Sequence, residues 1–172
     1  TRHNSLAMVR LFRKPPCLTN LIEFGGSVLT YSFNSLWCAA LNMRAAEIPV
    51  THFLLWHADI IPTSENWLGV MLSEMERVGA KVLSAVVPIK NNQGMTSTAV
   101  DTNHWNPMRY STAEVAALVE PTWTQPDLLV NTGLMLVDIQ EPWVEQVKFT
   151  MEDLIVKDPD TGNLRAFFTP ED

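Results

Sequence analysis

The sequence predicts an α/β fold in one domain, residues 1–172, with a mainly parallel sheet flanked by helices, and three observations carry that expectation. Short solid apolar blocks alternate along the chain with longer periodic stretches. The block Thr51-His52-Phe53-Leu54-Leu55-Trp56 is apolar without alternation, the texture of a central parallel strand covered on both faces. Strand, helix and strand then follow one another between residues 51 and 87, the order of a right-handed βαβ unit. The chain has 172 residues, 47% of them apolar and 18% charged, which suits one real core and excludes disorder for the bulk.

Each element has a local cause. Residues 6–12 read as a strand closed by Lys14-Pro15-Pro16, since proline offers no N–H to a ladder. A helix is expected over residues 27–47, where Phe33, Trp37, Ala40 and Leu41 recur at helical spacing between Gly25-Gly26 and Pro49. After the strand at 51–56, Ser64 is placed to cap a helix whose buried line is Trp67, Leu68, Met71, Leu72, Met75 and Val78 and whose end is Gly79. Residues 81–87 read as a second central strand. Lys90-Asn91-Asn92-Gln93-Gly94 is a turn, and the β-branched run 95–100 is extended. Ser111 with Glu114 matches a capping box, so a short helix is expected over 111–119. Segments 128–130 and 134–137 flank Asn131-Thr132-Gly133, and Pro142 opens a helix through Trp143 and Val147. A surface turn at 158–163 precedes a short strand at 164–168.

Charge and composition narrow the function classes. Twelve basic and nineteen acidic side chains give a net charge of -7 without a basic stripe, which argues against nucleic acid as the main partner. No apolar run approaches the ~20 residues of a membrane span, and the first residues make a poor signal peptide, so a cytoplasmic chain is expected. Cys17 and Cys38 have no metal or disulfide spacing and read as buried or idle thiols. The four histidines show no paired helical spacing, which leaves zinc catalysis without support. Of six tryptophans, Trp37, Trp56, Trp67 and Trp143 sit in core-like positions, whereas Trp105 and Trp123 fall in loops where a flat ring can meet a ligand.

Asp59 is the first candidate for chemistry, because ligands collect at the carboxyl ends of strands in open α/β sheets. A carboxylate just after Leu54-Leu55-Trp56 must reach solvent, a donor or a cation. His57, two residues earlier, points to the same side if the backbone stays extended. Together they can hold a divalent metal, Mg or Mn, that bridges nucleotide phosphates, with Asp59 the better oxygen ligand. The plainer alternative is that Asp59 caps the turn before Pro62 and His57 bonds to backbone. An aspartyl-phosphate reading fails, because Ile61 stands where the second acid belongs. Asn131-Thr132-Gly133 either brings backbone close to a substrate, which glycine permits, or is a hairpin turn. Asn34, Cys38 and Asn42 share a helical arc, and Arg44 lies near the helix end. That polar stripe either meets a nucleotide or donor sugar or, at Arg44, caps helix carbonyls.

The run from Thr51 through His57-Ala58-Asp59-Ile60-Ile61-Pro62 to Trp67-Leu68 resembles the strand and metal motif of nucleotide-sugar glycosyltransferases with the GT-A fold. Their acidic motif is usually written DXD; here His57 replaces its first Asp. Ser84-Ala85-Val86-Val87-Pro88-Ile89-Lys90, Asn131-Thr132-Gly133-Leu134-Met135-Leu136-Val137 and Thr169-Pro170-Glu171-Asp172 follow in the family's order, so the resemblance covers residues 25–172. It implies a Rossmann-like GT-A type mixed sheet, mainly parallel. It implies metal-assisted transfer of a sugar from a nucleotide-sugar donor to a carbohydrate or other hydroxyl acceptor. Asn34, Arg44 and Asp59 would serve the donor, Asn131, Thr132 and Gly133 the acceptor, and Asp59 with His57 the metal. Asp172, beside Glu171, would take the proton from the attacking hydroxyl; the plainer reading of this pair is an acidic chain end. The first 25 residues match the family poorly, and members continue past the Glu-Asp motif, so the resemblance implies a fragment, a truncated gene or a partner chain that completes the site. A second reading is a non-catalytic nucleotide-sugar-binding or assembly module that keeps the fold. A third, a metal-dependent hydrolase using His57 and Asp59, needs more ligands than the sequence supplies. A homo-oligomer is left open.

Overall fold

The computed structural model describes residues 17, 19–26, 28–90, 93–102, 107–150, 153–158 and 160–168. In chain order its elements are α1 (Leu29–Ala45), β1 (His52–Trp56), α2 (Trp67–Val78), β2 (Val82–Ser84), β3 (Met95–Val100) and β4 (Met108–Ser111). There follow α3 (Thr112–Ala116), β5 (Leu128–Leu129), β6 (Leu134–Asp138), a 3-10 turn (Pro142–Gln146), β7 (Asp153–Lys157) and β8 (Leu164–Phe168). The chain divides into two compact units, one built on His52–Asp138, the other on Ile22–Thr51 and the described residues after Asp138.

In the first unit, Leu134, Met135, Leu136 and Val137 are all buried and form the middle strand of a sheet ordered β1-β6-β2. Both pairings are antiparallel: Leu54 and Leu83 both lie opposite Leu136. One face of this sheet receives α2, whose Trp67, Leu68, Met71 and Met75 form a core with Leu134 and Leu136, closed by Leu54, Trp56 and Leu83. The helix stops where the sequence says it should. Gly79 takes the left-handed conformation at φ 66°, and its N–H donates to Glu76 O at 3.2 Å. Its start differs: Asn66 is the N-cap, and Ser64 accepts from the Asn66 N–H at 3.3 Å without capping the helix itself.

A second sheet, ordered β4-β3-β5, is antiparallel throughout. Its middle strand is polar yet buried, and the polar atoms are satisfied: Thr96 Oγ1 donates to Tyr110 O at 2.9 Å and Ser97 Oγ to Val87 O at 3.0 Å. The capping box at Ser111 and Glu114 forms in both directions and starts α3.

In the other unit, α1 buries Phe33, Trp37 and Ala40, and Phe149 packs edge-on against Phe33 with centroids 5.3 Å apart. The Trp37 indole donates to Val144 O at 3.0 Å. Strands β7 and β8 pair antiparallel around a turn in which Asp158 Oδ1 accepts from the N–H groups of Asp160 and Thr161.

The mainly parallel, Rossmann-like sheet that the GT-A resemblance implies is not what the chain forms: every strand pairing among the described residues is antiparallel. Strands β1 and β2 do run the same way, but β6 lies between them with the opposite direction, so they are not neighbours. The cause is legible afterwards. A solid apolar run reports burial on both faces and carries no information on direction, and β6 is the run buried most completely. Segments 128–130 and 134–137 do not form a hairpin, since β5 and β6 join different sheets. Both cysteines are free and exposed, not buried. The strand expected at 6–12 lies outside the described residues. No described helix is long and apolar enough to cross a membrane.

Leu136 is 1% exposed and faces neighbours on both strands. Leu136→Ala is expected to lower unfolding free energy by about 2–5 kcal/mol in urea denaturation, and a loss under ~1 kcal/mol would show that this strand does not carry the core.

Candidate functional site

The apolar run of β1 ends at Trp56, and the next four residues form a turn closed by the Ile60 N–H donating to His57 O at 3.1 Å. Two anchors set its direction. The Trp56 indole donates to Ile60 O at 2.9 Å, and the Ile60 side chain packs on the core. With Ile60 drawn inward, Ala58 and Asp59 face outward, and His57 is half-buried.

The start of β6 meets this turn directly. The His57 N–H donates to Gly133 O at 2.8 Å. A Cβ on Gly133 would lie 2.4 Å from Ile60 Cδ1 and 2.6 Å from Asn131 Oδ1, so a larger residue must displace these two side-chain ends. Asn131 is buried, and its Oδ1 accepts from the Gly133 N–H at 2.6 Å, which holds the loop shut. Thr132 is half-buried between them. The end of β2 completes the cluster: the Ser84 hydroxyl donates to Asn131 O, and the Ala85 N–H donates to Leu134 O at 2.9 Å.

Beyond β2 the chain is tied to the second sheet. The Ser97 N–H donates to Val87 O and the Ile89 N–H to Met95 O, both at 2.9 Å. These bonds bring Lys90 beside Asp59, where its Nζ donates to Oδ2 in an ion pair. The pair is open to solvent, with the side chains 76% and 61% exposed. The Lys90 hydrogen bond, helped by its charge and by the nearby His57, holds the Asp59 carboxyl below its ordinary pKa; slight burial works the other way.

No protein-family model, curated protein or solved structure matches this chain. The structure brings His57, Asp59, Asn131, Thr132 and Gly133 to one end of one sheet. Asn34 and Arg44 belong to the other compact unit and are engaged within it. Asn34 makes a two-way pair with the Phe149 backbone at 2.8 and 3.0 Å. Arg44 donates to Ile139 O at 2.5 Å and forms an ion pair with Glu145. Glu171 and Asp172 lie outside the described residues. Lys90, which the residue pattern places in a turn and the resemblance at the end of the run from Ser84, is the site residue to which the sequence gives no role. The signal lay in topology, because only the path from β2 to β3 returns it to Asp59.

Asp59 offers one outward carboxylate, the His57 Nε2 is buried away from solvent, and no group of three or more metal-ligating side chains occurs among the described residues. Magnesium is commonly held by one or two carboxylates plus substrate phosphates. The donor set fits an ion shared with phosphate and does not fit one caged by protein alone. At the opposite end of the sheet a groove of about 390 Å3 is lined by residues including His52, Met75, Glu76, Lys81 and Asp138, and there Lys81 pairs with Asp138 at 3.0 Å. It shares no residue with the cluster around Asp59.

Gly133→Ala is expected to cost about 1–3 kcal/mol through overpacking against Ile60 and Asn131, measured by thermal or urea unfolding; a neutral result would mean the two loops do not meet as described. A depressed carboxyl pKa stabilises the fold above the unfolded pKa, and that contribution is lost as pH falls through the folded value. For so exposed a pair it amounts to about 0.2–1 kcal/mol. In a carboxyl NMR titration, Lys90→Gln is expected to move the Asp59 pKa upward toward its ordinary value, and an unmoved Asp59 would break the pairing.

Proposed function

We propose that this chain binds a nucleotide-sugar by its diphosphate at the Asp59 cluster and transfers the sugar to a hydroxyl acceptor. One observation carries the reading. Three segments that the glycosyltransferase resemblance selects separately, His57-Ala58-Asp59, the run ending in Lys90, and Asn131-Thr132-Gly133, converge at one end of one sheet. Convergence of distant segments on an outward, ionised carboxylate is how a binding site is built, and a merely structural turn does not require it.

Asp59 stays charged because Lys90 beside it favours the anion. It would share a divalent ion with the donor diphosphate; His57, the second ligand the resemblance implies, has its Nε2 buried, so Asp59 would be the main protein ligand. When bound, that ion supplies positive charge against the departing diphosphate. The Asn131-Thr132-Gly133 loop, held by the Asn131 side chain, would serve the acceptor, the role the resemblance gives it. In the transfer the acceptor oxygen bonds to the anomeric carbon as the bond to the diphosphate oxygen breaks. The electron pair leaves on the nucleoside diphosphate, and the hydroxyl proton passes to a carboxylate, the role the resemblance gives Asp172. A cytoplasmic setting belongs to the same proposal.

Nucleoside diphosphates with manganese are expected to raise the thermal midpoint of the full chain, since a ligand at ~100 times its Kd adds about 2.7 kcal/mol to native stability. Asp59→Asn is expected to remove most of that shift. Absence of any shift across the common bases, or the same shift in Asp59→Asn, would overturn the reading. Transfer or donor hydrolysis assayed alongside separates an enzyme from a binding module.

A further inference from the structure

We infer that Lys90 is a second ligand for the donor phosphates, kept on Asp59 until a divalent cation claims that carboxylate. The inference rests on the nucleotide-sugar reading and adds to it a residue and an exchange. Lys90 has a fixed root and a free tip. The backbone just before it is fastened by the Ile89 N–H to Met95 O and by the bridge between Pro88 and Thr96, while its side chain is 76% exposed. A lysine stem has four rotatable carbons and an ammonium that acts as a compact point charge, so it can swing between anions a few ångströms apart.

Asp59 is the fixed member of the pair. Its turn is held by the bonds from Trp56 and Ile60 and by the His57 contact to Gly133. Solvent-exposed ion pairs are weak, so leaving this one has little cost. A dication on Asp59 would repel the ammonium, and the phosphates it carries would attract it. Both forces push Lys90 the same way, from carboxylate to phosphate. The pair thus keeps Asp59 neutralised without a cation and adds a positive contact to the diphosphate with one.

The exchange predicts opposite effects of one substitution, which a purely structural lysine would not produce. Binding of manganese alone is measured by proton relaxation, and binding of inorganic pyrophosphate with manganese by calorimetry, on the full chain. Lys90→Gln is expected to bind manganese about twofold to fivefold more tightly, because its competitor is gone, and manganese-pyrophosphate more weakly by a similar factor. Lys90→Arg is expected to restore the pyrophosphate affinity, with thermal midpoints within a few degrees of the parent chain showing that both variants fold. Asp59→Asn is expected to bind pyrophosphate without metal more tightly than the parent chain, since Lys90 is released. If Lys90→Gln leaves both affinities unchanged, or shifts both in one direction, the exchange is wrong, even where nucleoside diphosphates still stabilise the parent chain. If the parent chain responds to neither manganese nor any nucleoside diphosphate, the underlying reading falls and the exchange with it.

Discussion

Strand β6 is hydrogen-bonded along both edges, and the loop cluster exists because of that double pairing. On one edge Trp56 lies opposite Leu134, so β1 ends where β6 begins. On the other, Ser84 lies opposite Met135, so β2 ends there too. Three chain segments, far apart in sequence, are delivered to one place by two ladders in one register. A slip of one residue in either ladder would turn Leu54 and Trp56, or Leu83, away from α2, and the packing of those side chains on the core opposes it. The same burial that stabilises the unit therefore also sets the position of Asp59, Asn131 and Gly133.

What could be read from residues alone was what local physics decides. The helices α1 and α2 follow from apolar spacing, the stop at Gly79 from its freedom to adopt positive φ, and α3 from the reciprocal cap of Ser111 and Glu114. Strand direction was not legible, because Phe53-Leu54-Leu55 looks the same whether its neighbour runs parallel or antiparallel. Strand β7 has a signal in the sequence: Leu154-Ile155-Val156 is an apolar run with two β-branched residues just before the Asp158 turn, the pattern of a hairpin arm. Asp59 and the Asn131-Thr132-Gly133 loop were found from their places at strand ends. Lys90 could not be, since its approach to Asp59 depends on the bonds that join the path after β2 to the second sheet. Asn34 and Arg44 illustrate the reverse error: a polar stripe on a helix reads as ligand-facing, yet backbone carbonyls within the same unit take up both side chains.

The cluster is electrostatically economical. It consists of one carboxylate and one ammonium, both largely in water. A buried pair would be held more firmly and would also resist any ligand that had to part it. An exposed pair beside a tightly bonded loop combines a rigid frame with charges that are free to be reassigned.

The Trp56 and Trp67 rings stand 5.2 Å apart and are inclined at 58°, and Trp56 also holds the turn that carries Asp59. Two indoles so near and so tilted couple their electronic transitions. This corner of the molecule thus carries its own optical signature in circular dichroism, and a spectrum can follow the seating of that turn without any attached label.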